Sequence, residues 1–223
     1  MDYRHEWKHR ISRADCLILR RRLQTVMRPD PHARDGRYLV RSLYFDTPAD
    51  TALREKLDGV SRREKFRIRC YDLDFSLIHL EKKSKCWGLG SKQKAELSKE
   101  EVQRLLAEDL SWMMDSGRPL VQELYSKMAW QQLAPKTIVD YVREPFVYTP
   151  GNVRVTLDYD IRTGLGCTDF PDPHCPTVPA GNDTVILEVK WDDFLPDIIR
   201  SAVQLPGRQV TAFSKYAQCR IYG

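Results

Sequence analysis

Charged residues, in one case a tyrosine and an arginine, recur two or four positions apart in six strand-like stretches of this 223-residue chain. Side chains two apart on a β-strand point to the same face, so each stretch projects its charges in one direction. The residues between them are mostly apolar, as in Phe66, Ile68 and Cys70, and we expect that face to pack in a core. The six stretches are Arg4, Glu6 and Lys8; Lys65, Arg67 and Arg69; Glu81, Lys83 and Lys85; Tyr141 and Arg143; Arg154, Asp158 and Asp160; and Glu188 and Lys190.

Convergence of these faces would create a site for a highly charged anion and a metal ion. Crowded cations repel one another unless an anion of several charges lies among them, and a polyphosphate chain meets this need. Arginine matches two phosphate oxygens with its planar fork, and lysine adds a compact charge. Carboxylates are hard ligands for Mg²⁺ or Mn²⁺, and phosphoryl transfer depends mainly on positioning and charge stabilisation. The candidate carboxylates are Glu6, Glu81, Glu188, Asp158 and Asp160.

Each stretch taken alone has a simpler interpretation. A solvated sheet face with cross-strand ion pairs would show the same spacing. Six stretches on separate strands favour a site, because surface strands normally include Thr, Ser and Gln. Asp158 and Asp160 stay open, since one of them could cap the turn that follows. His5 and His9 lie on the other face of their strand, and we assign them no role.

Composition and motifs exclude several functional classes. A formal net charge of +5 favours anionic partners, but aromatic residues do not alternate with the basic ones as base-stacking platforms would require. P-loop and nucleophile-elbow motifs are absent from the sequence. The six cysteines form no C-x-x-C pair, so we expect no structural zinc site. No signal-peptide pattern is present, so we expect reduced thiols. Without a long apolar run or a signal-peptide pattern, we expect a cytoplasmic protein that does not insert into a membrane.

Hydrophobic periodicity predicts strands that alternate with helices. Ser12 is expected to cap the first helix, and Ser98 with Glu101 forms a capping box for a later one. The predicted strands cover residues 3–11, 37–46, 63–73, 76–85, 136–148, 152–161 and 184–191. The predicted helices follow residue 12, cover 49–58, form two segments within 98–133 and cover 193–204, with a last helical or extended piece at 213–216.

The order of these elements predicts an α+β fold with an antiparallel sheet of about eight strands. Closing the sheet into a barrel would remove its edges and enclose the charges, with the helices packed outside. A loop rich in glycine and proline covers residues 164–183, and loops of this length are usually functional or mobile.

The ordered set of motifs resembles the polyphosphate polymerase (VTC) domain of the triphosphate tunnel metalloenzyme, or CYTH-like, superfamily, in its bacterial stand-alone form. The resemblance implies a single domain, 1–223, with a helical insertion at about 98–133. The motifs that carry it are R-x-E-x-K at 4–8, S-L-Y-F-D at 42–46, R-x-R at 67–69, L-E-x-K at 80–83, Y-x-R at 141–143, V-R-V-T-L-D at 153–158, L-E-V-K at 187–190 and F-S-K-Y at 213–216.

The resemblance implies transfer of the γ-phosphate of ATP to a growing polyphosphate chain, with Mn²⁺ or Mg²⁺ as cofactor. Glu188 is the first expected metal ligand, and Glu6 and Glu81 are the next candidates. The expected catalytic cations are Lys8, Arg67, Arg69, Lys83, Arg143, Arg154 and Lys190, and Lys65, Lys85 and Lys215 complete the phosphate-binding set.

Arg4 stands where hydrolytic members of the superfamily carry a glutamate that helps to hold the metal. This difference favours a polymerase over a two-metal triphosphatase. A metal-dependent tripolyphosphatase or nucleoside triphosphatase is the alternative, and a non-catalytic polyanion-binding module is the third hypothesis. The expected partners are ATP and inorganic polyphosphate or triphosphate, with no specific nucleic acid, and a membrane protein would be needed for export.

Overall fold

The computed structural model describes residues 4–87, 89–181 and 183–221. Within these ranges it contains ten strands and six α-helices. The strands are β1 (His5–Ile11), β2 (Arg28–Pro29), β3 (Tyr38–Asp46), β4 (Arg62–Tyr71), β5 (Asp74–Cys86), β6 (Leu89–Leu97), β7 (Ala134–Tyr148), β8 (Val153–Thr163), β9 (Val178–Pro179) and β10 (Val185–Trp191). The helices are α1 (Arg13–Val26), α2 (Thr51–Leu57), α3 (Lys99–Leu106), α4 (Pro119–Gln131), α5 (Asp197–Val203) and α6 (Lys215–Ile221).

The chain divides into two compact units. Unit 1 is formed by Met1–Leu39, Tyr141–Ile161 and Gly181–Phe213, and unit 2 by Val40–Asp140, Arg162–Ala180 and Ser214–Gly223. The long strand β7 contributes its first residues to unit 2 and its last residues to unit 1.

Unit 1 packs helices on one face of an antiparallel sheet. β1 pairs with β10, β10 pairs with β8, and β7 is the next strand of the sheet after β8. Helix α1 buries Leu19 and Leu23 completely, in a cluster that includes Val155 and Leu187 of the sheet and Ile199 of α5. The apolar residues at alternate positions of these strands therefore face the core, and the charged residues between them lie on the opposite face.

Unit 2 is built on the antiparallel order β3-β4-β5-β6. Asp72 and Leu73 both have positive φ, at 50° and 56°, as a two-residue hairpin turn between β4 and β5 requires. Helices α3 and α4 contribute Val102 and Leu124 to a core that also includes Ile68 of β4. As in unit 1, the core takes one parity of each strand.

The predicted α+β class and the antiparallel order are confirmed, and eight strands of the described chain form the main path of the sheet. The predicted cap at Ser12 and the predicted capping box of Ser98 with Glu101 are both present. Ser12 also exchanges hydrogen bonds with Asp15, which makes this cap a second capping box. Residue 3 of the first predicted strand lies outside the described residues.

Strand β6 was not predicted, because its sequence lacks β-branched and aromatic residues. Pairing with β5 holds it in the extended conformation. No helix among the described residues is long and apolar enough to cross a membrane.

The long loop after β8 is anchored to unit 2 along its length. Phe170 is completely buried and packs edge-to-face on Phe75, with ring centroids 5.7 Å apart. Arg41 donates a hydrogen bond of 2.5 Å to the carbonyl oxygen of Asp172. Cys167 and Cys175 are joined by a disulfide, so the expectation of reduced thiols is wrong for this pair, whose chain segments turn back on each other. Residue 182 of the loop lies outside the described residues.

Arg41, which contacts the loop, also forms a buried ion pair with Asp140. Its Nε and Nη2 donate to the Asp140 carboxylate at 3.1 and 2.9 Å, and both side chains are almost completely buried. Breaking such a pair leaves an uncompensated charge in the interior, whereas replacing both partners by apolar residues removes the charge altogether.

We expect Arg41→Met to lower the free energy of unfolding by about 3 to 5 kcal/mol, because Asp140 would stay buried without its partner. The double variant Arg41→Met/Asp140→Leu should recover most of this loss. Arg104→Met, which removes the solvent-exposed pair with Asp109, is the control and should change the free energy of unfolding far less, because water screens that pair. Urea denaturation measures all three, and an equal loss in the single and double variants would contradict the prediction.

Candidate functional site

Three lysines from neighbouring strands lie side by side on the polar face of unit 2. Lys65 of β4 is opposite Lys83 of β5, and Lys83 is opposite Lys92 of β6. Directly opposite Cβ atoms on antiparallel strands are about 4.5 to 5.5 Å apart, and like charges at this spacing are destabilising. We call Lys65, Lys83 and Lys92 the lysine row. A multiply charged anion across this row would offset the repulsion between its members.

Next to the lysine row, Arg67 and Arg69 are held by the buried carboxylate of Glu81. Arg67 donates to Glu81 with a nitrogen–oxygen distance of 2.6 Å, Arg69 lies 3.8 Å away, and Lys92 also contacts Glu81. Burial by itself would raise the pKa of Glu81, but these three cations hold it well below its usual range. Glu81 therefore stays ionised and orients the two arginines along the polar face.

Tyr44 of β3 places a buried phenol among the same cations. Arg67 Nη1 donates a hydrogen bond of 2.8 Å to Tyr44 Oη, and Lys65 Nζ lies 5.5 Å from the ring centroid. The Tyr44 ring also stacks on the ring of Tyr216, with centroids 5.0 Å apart. Burial would raise the pKa of Tyr44, but Arg67, Lys65 and Arg69 outweigh it and lower the pKa to about 7.

Lys92 and Tyr44 belong to this face although the sequence analysis assigned them no role. Lys92 and Lys94 are two residues apart, the same spacing of charges that marks the six predicted stretches. They were missed because their segment was not predicted as a strand. Tyr44 lies within the S-L-Y-F-D motif, and only the pairing of β3 with β4 brings it opposite Arg67. Lys85 is at the end of β5, opposite Arg63.

On the polar face of unit 1, cations lie opposite carboxylates on the neighbouring strands β1 and β10. Glu6 is opposite Lys190, which is opposite Arg154, and Lys8 is opposite Glu188. Lys190 contacts both glutamates, at 3.4 Å from Glu6, and Lys8 lies 3.0 Å from Glu6. Burial would lower the pKa of Lys8, but Glu188 and Glu6 raise it above its ordinary value, so Lys8 stays charged.

Two further cations of unit 1 are oriented by carboxylates. Asp158 accepts two hydrogen bonds of 2.7 Å from Arg143, and although burial opposes the charge, Asp158 raises the pKa of Arg143. Arg154 Nη2 donates to Asp30 and to the hydroxyl of Tyr38, both at 2.9 Å. The guanidinium groups are thus held in place before any ligand binds.

Glu6 and Glu188 are the residues of unit 1 that fit a divalent cation. Both approach Lys190 Nζ, so their oxygens lie close together, and two carboxylates completed by water and phosphate oxygens are a usual Mg²⁺ arrangement. The described residues contain no cluster of three or more metal-binding side chains. Glu81 belongs to unit 2, where cations surround it, and its role as a metal ligand stays a prediction.

The remaining predicted residues take separate positions. Asp160 has a positive φ of 50° and pairs with Arg13 at the surface, so it does not share the environment of Asp158. Arg4 pairs with Asp192 at 2.6 Å. Lys215 begins α6 in unit 2.

Comparison with known proteins gives one family and a set of similar folds. A model of the VTC domain matches residues 3–222. The chain is similar to a putative adenylyl cyclase from Hippeastrum, HpAC1, described as having a dominant triphosphatase activity, with 17% identity, a TM-score of 0.61 and coverage of 99% of this chain and 96% of that one. It is also similar to the PH1012 protein of Pyrococcus horikoshii OT3, with 12% identity, a TM-score of 0.51 and coverage of 95% and 96%. At these identities the likeness shows a shared fold alone, and no curated protein matches the sequence significantly.

The environment of Tyr44 predicts a tyrosine that ionises near neutral pH. An ultraviolet titration of the folded protein should show one tyrosinate forming with a midpoint at about pH 7, lost in Tyr44→Phe and kept in the control Tyr125→Phe. The unfolded chain, with an ordinary pKa of 10.0, binds more protons between pH 7 and 10, so the stabilisation due to Tyr44 should grow over that range and vanish below it. A difference in unfolding free energy between wild type and Tyr44→Phe that stays constant from pH 7 to 10 would contradict this.

Proposed function

This chain belongs to the VTC domain family, and we propose that it is a metal-dependent polyphosphate polymerase that transfers the γ-phosphate of ATP to a growing polyphosphate chain. The lysine row is the observation that carries the proposal. Three like charges on adjacent strands, beside Arg67 and Arg69, are matched by an anion that repeats its charge along its length. Polyphosphate has this property.

In the proposed reaction a terminal oxygen of the polyphosphate chain attacks the γ-phosphorus of ATP. The bond from that phosphorus to the bridging oxygen of the β-phosphate breaks, and ADP leaves with the electron pair. Charge in the transition state is spread over the three remaining oxygens of the transferred group, so fixed cations supply most of the catalysis. Arg67, held by Glu81 and Tyr44, is an oriented donor of this kind.

We propose Glu188 and Glu6 as the ligands of Mn²⁺ or Mg²⁺ in unit 1. When bound, the metal neutralises phosphate charge and polarises the phosphorus–oxygen bonds. Lys190 is the counter-ion of both carboxylates, so it keeps the pair together in the absence of metal. Lys8 remains protonated beside them and is available to phosphate oxygens as a point charge.

The other predicted cations complete the proposed phosphate-binding set. Arg143 and Arg154 present guanidinium groups oriented by Asp158 and Asp30, and we propose that Lys85 and Lys215 of unit 2 contribute two further cations. The proposed substrates are ATP and inorganic polyphosphate or triphosphate. We also propose that residues 1–223 act as a single domain, with the helices of about 98–133 as an insertion.

A triphosphatase is the second candidate, because HpAC1, which has a similar fold, is described as having a dominant triphosphatase activity. In that reaction water takes the place of the polyphosphate acceptor. ATP with Mn²⁺ should yield ADP and long chains from a polymerase, but free phosphate without chains from a triphosphatase. A binding module without activity would consume no ATP.

The two faces of β5 provide a matched test of phosphate binding. Lys83→Met removes the centre of the lysine row and should weaken tripolyphosphate binding about 10-fold, because one charge-assisted contact is lost. Lys82→Met is the control, since Lys82 points to the other face and pairs with Glu64 and Glu123. It should lower stability and leave the affinity unchanged. Isothermal titration calorimetry measures both, and equal affinities of the two variants would refute the role of the row.

Loss of the proposed metal ligand should abolish turnover. We expect Glu188→Gln, which keeps size but removes the charge, to reduce ATP consumption with Mn²⁺ by about 100-fold or more, the size of effect seen when one transition-state electrostatic contact is lost. Glu123→Gln, on the other face of unit 2, should keep full activity. Coupled detection of ADP together with gel electrophoresis of polyphosphate gives the readout. Full ATP consumption by Glu188→Gln would show that the metal assignment is wrong.

A further inference from the structure

Thr156 of β8 carries a buried hydroxyl that makes no hydrogen bond to any described residue. The residue is only 4% exposed, and within the described part of the chain its Oγ1 has no hydrogen-bond partner. Burying a hydroxyl without a partner costs free energy, and native proteins rarely tolerate it without a water, ion or ligand. The hydroxyl therefore marks a position where a ligand atom is expected.

The position of Thr156 points to the polar face of unit 1. Thr156 is directly opposite Glu188, which is directly opposite Lys8. Arg154 lies two residues before it on the same strand, hence on the same face. The carboxylate of Asp158, two residues after it, is engaged by two hydrogen bonds from Arg143. The hydroxyl thus stands between a cation and the proposed metal ligand.

A second buried donor on this strand is also without a partner. Arg154 directs Nη2 to Asp30 and Tyr38, whereas its buried Nε has no hydrogen-bond partner among the described residues. A guanidinium N–H is a donor only, and a hydroxyl is both donor and acceptor. Two neighbouring donors that lack an acceptor among the described residues, next to Lys190, are suited to an anionic group that accepts hydrogen bonds.

We propose that the Thr156 hydroxyl donates a hydrogen bond to a phosphate oxygen of the substrate, which also accepts one from Arg154 Nε. The inference rests on the proposed function, because it takes the anion to be a triphosphate or polyphosphate. It adds an uncharged residue to a site otherwise built from charges. A hydroxyl fixes the position of one phosphate oxygen, whereas lysines attract the whole chain with little directionality.

Thr156→Val tests the proposal, because valine keeps the branched shape and removes the hydroxyl. Tripolyphosphate titrated into the metal-free protein should bind about 10-fold more weakly to Thr156→Val, the effect of losing one hydrogen bond to a charged group. Thr156→Ser, which keeps the hydroxyl, should bind within about 3-fold of wild type. Without ligand, the melting temperature of Thr156→Val should equal or exceed that of wild type, since no protein hydrogen bond is lost.

Thr163→Val is the control for a buried threonine whose hydroxyl has a partner. Thr163 Oγ1 accepts a hydrogen bond of 3.1 Å from the Leu165 backbone, so this variant should melt at a lower temperature and bind tripolyphosphate as wild type does. The proposal is overturned if Thr156→Val binds as tightly as wild type, or if it melts lower with unchanged affinity. Weakened binding of Mn²⁺ alone, with unchanged binding of tripolyphosphate, would also overturn it by making the hydroxyl a metal ligand.

Failure of the proposed function has a different signature. Wild-type protein that does not bind tripolyphosphate at all would overturn both the proposed function and the role of Thr156. Wild-type binding with an unaffected Thr156→Val would overturn the role of Thr156 alone.

Discussion

Electrostatic repulsion between cations held on one face of a sheet is the constraint on which the candidate site depends. Strand alternation places most apolar side chains in the core and the charged side chains of the candidate site on the opposite face. In unit 2 this brings Lys65, Lys83 and Lys92 into one row. Hydrophobic burial on the core face offsets the repulsion between these lysines, because fully burying one large apolar side chain contributes about 1.5 to 3 kcal/mol to folding. The fold therefore maintains an arrangement that favours a polyanion.

Carboxylates within each unit limit this repulsion and orient the arginines. Glu81 stays ionised among Arg67, Arg69 and Lys92, and Asp158 performs the same function for Arg143. Each pair leaves the cation charged and its guanidinium plane defined, so less conformational entropy is lost when a phosphate binds. The carboxylates thus contribute to binding in two ways, as orienting partners and, for Glu6 and Glu188, as proposed metal ligands.

Much of the fold followed from local pattern, and the exceptions have physical causes. The Ser12 helix cap, the Ser98–Glu101 capping box, the strands β4 and β5 and the α+β class were predicted, since the signals for each lie in residues close in sequence. Strand β6 was missed because its residues have little intrinsic preference for extended backbone, and β5 imposes that conformation. The loop at 164–183 was expected to be functional or mobile, but Phe170 and the contact of Arg41 with Asp172 anchor it through residues distant in sequence.

The sequence by itself determined the family, through the order of short motifs between residues 4 and 216. It also determined which side chains of a strand share the charged face, and it predicted the chemical class of the ligand, because side-chain direction alternates from one residue to the next. Only the tertiary structure decided which strands are neighbours and in which register. Register brought Lys92 beside Lys83, set Tyr44 against Arg67 and placed Thr156 opposite Glu188. Such pairings arise from long-range packing and hydrogen bonding, in which a shift of one residue would turn every side chain to the other face.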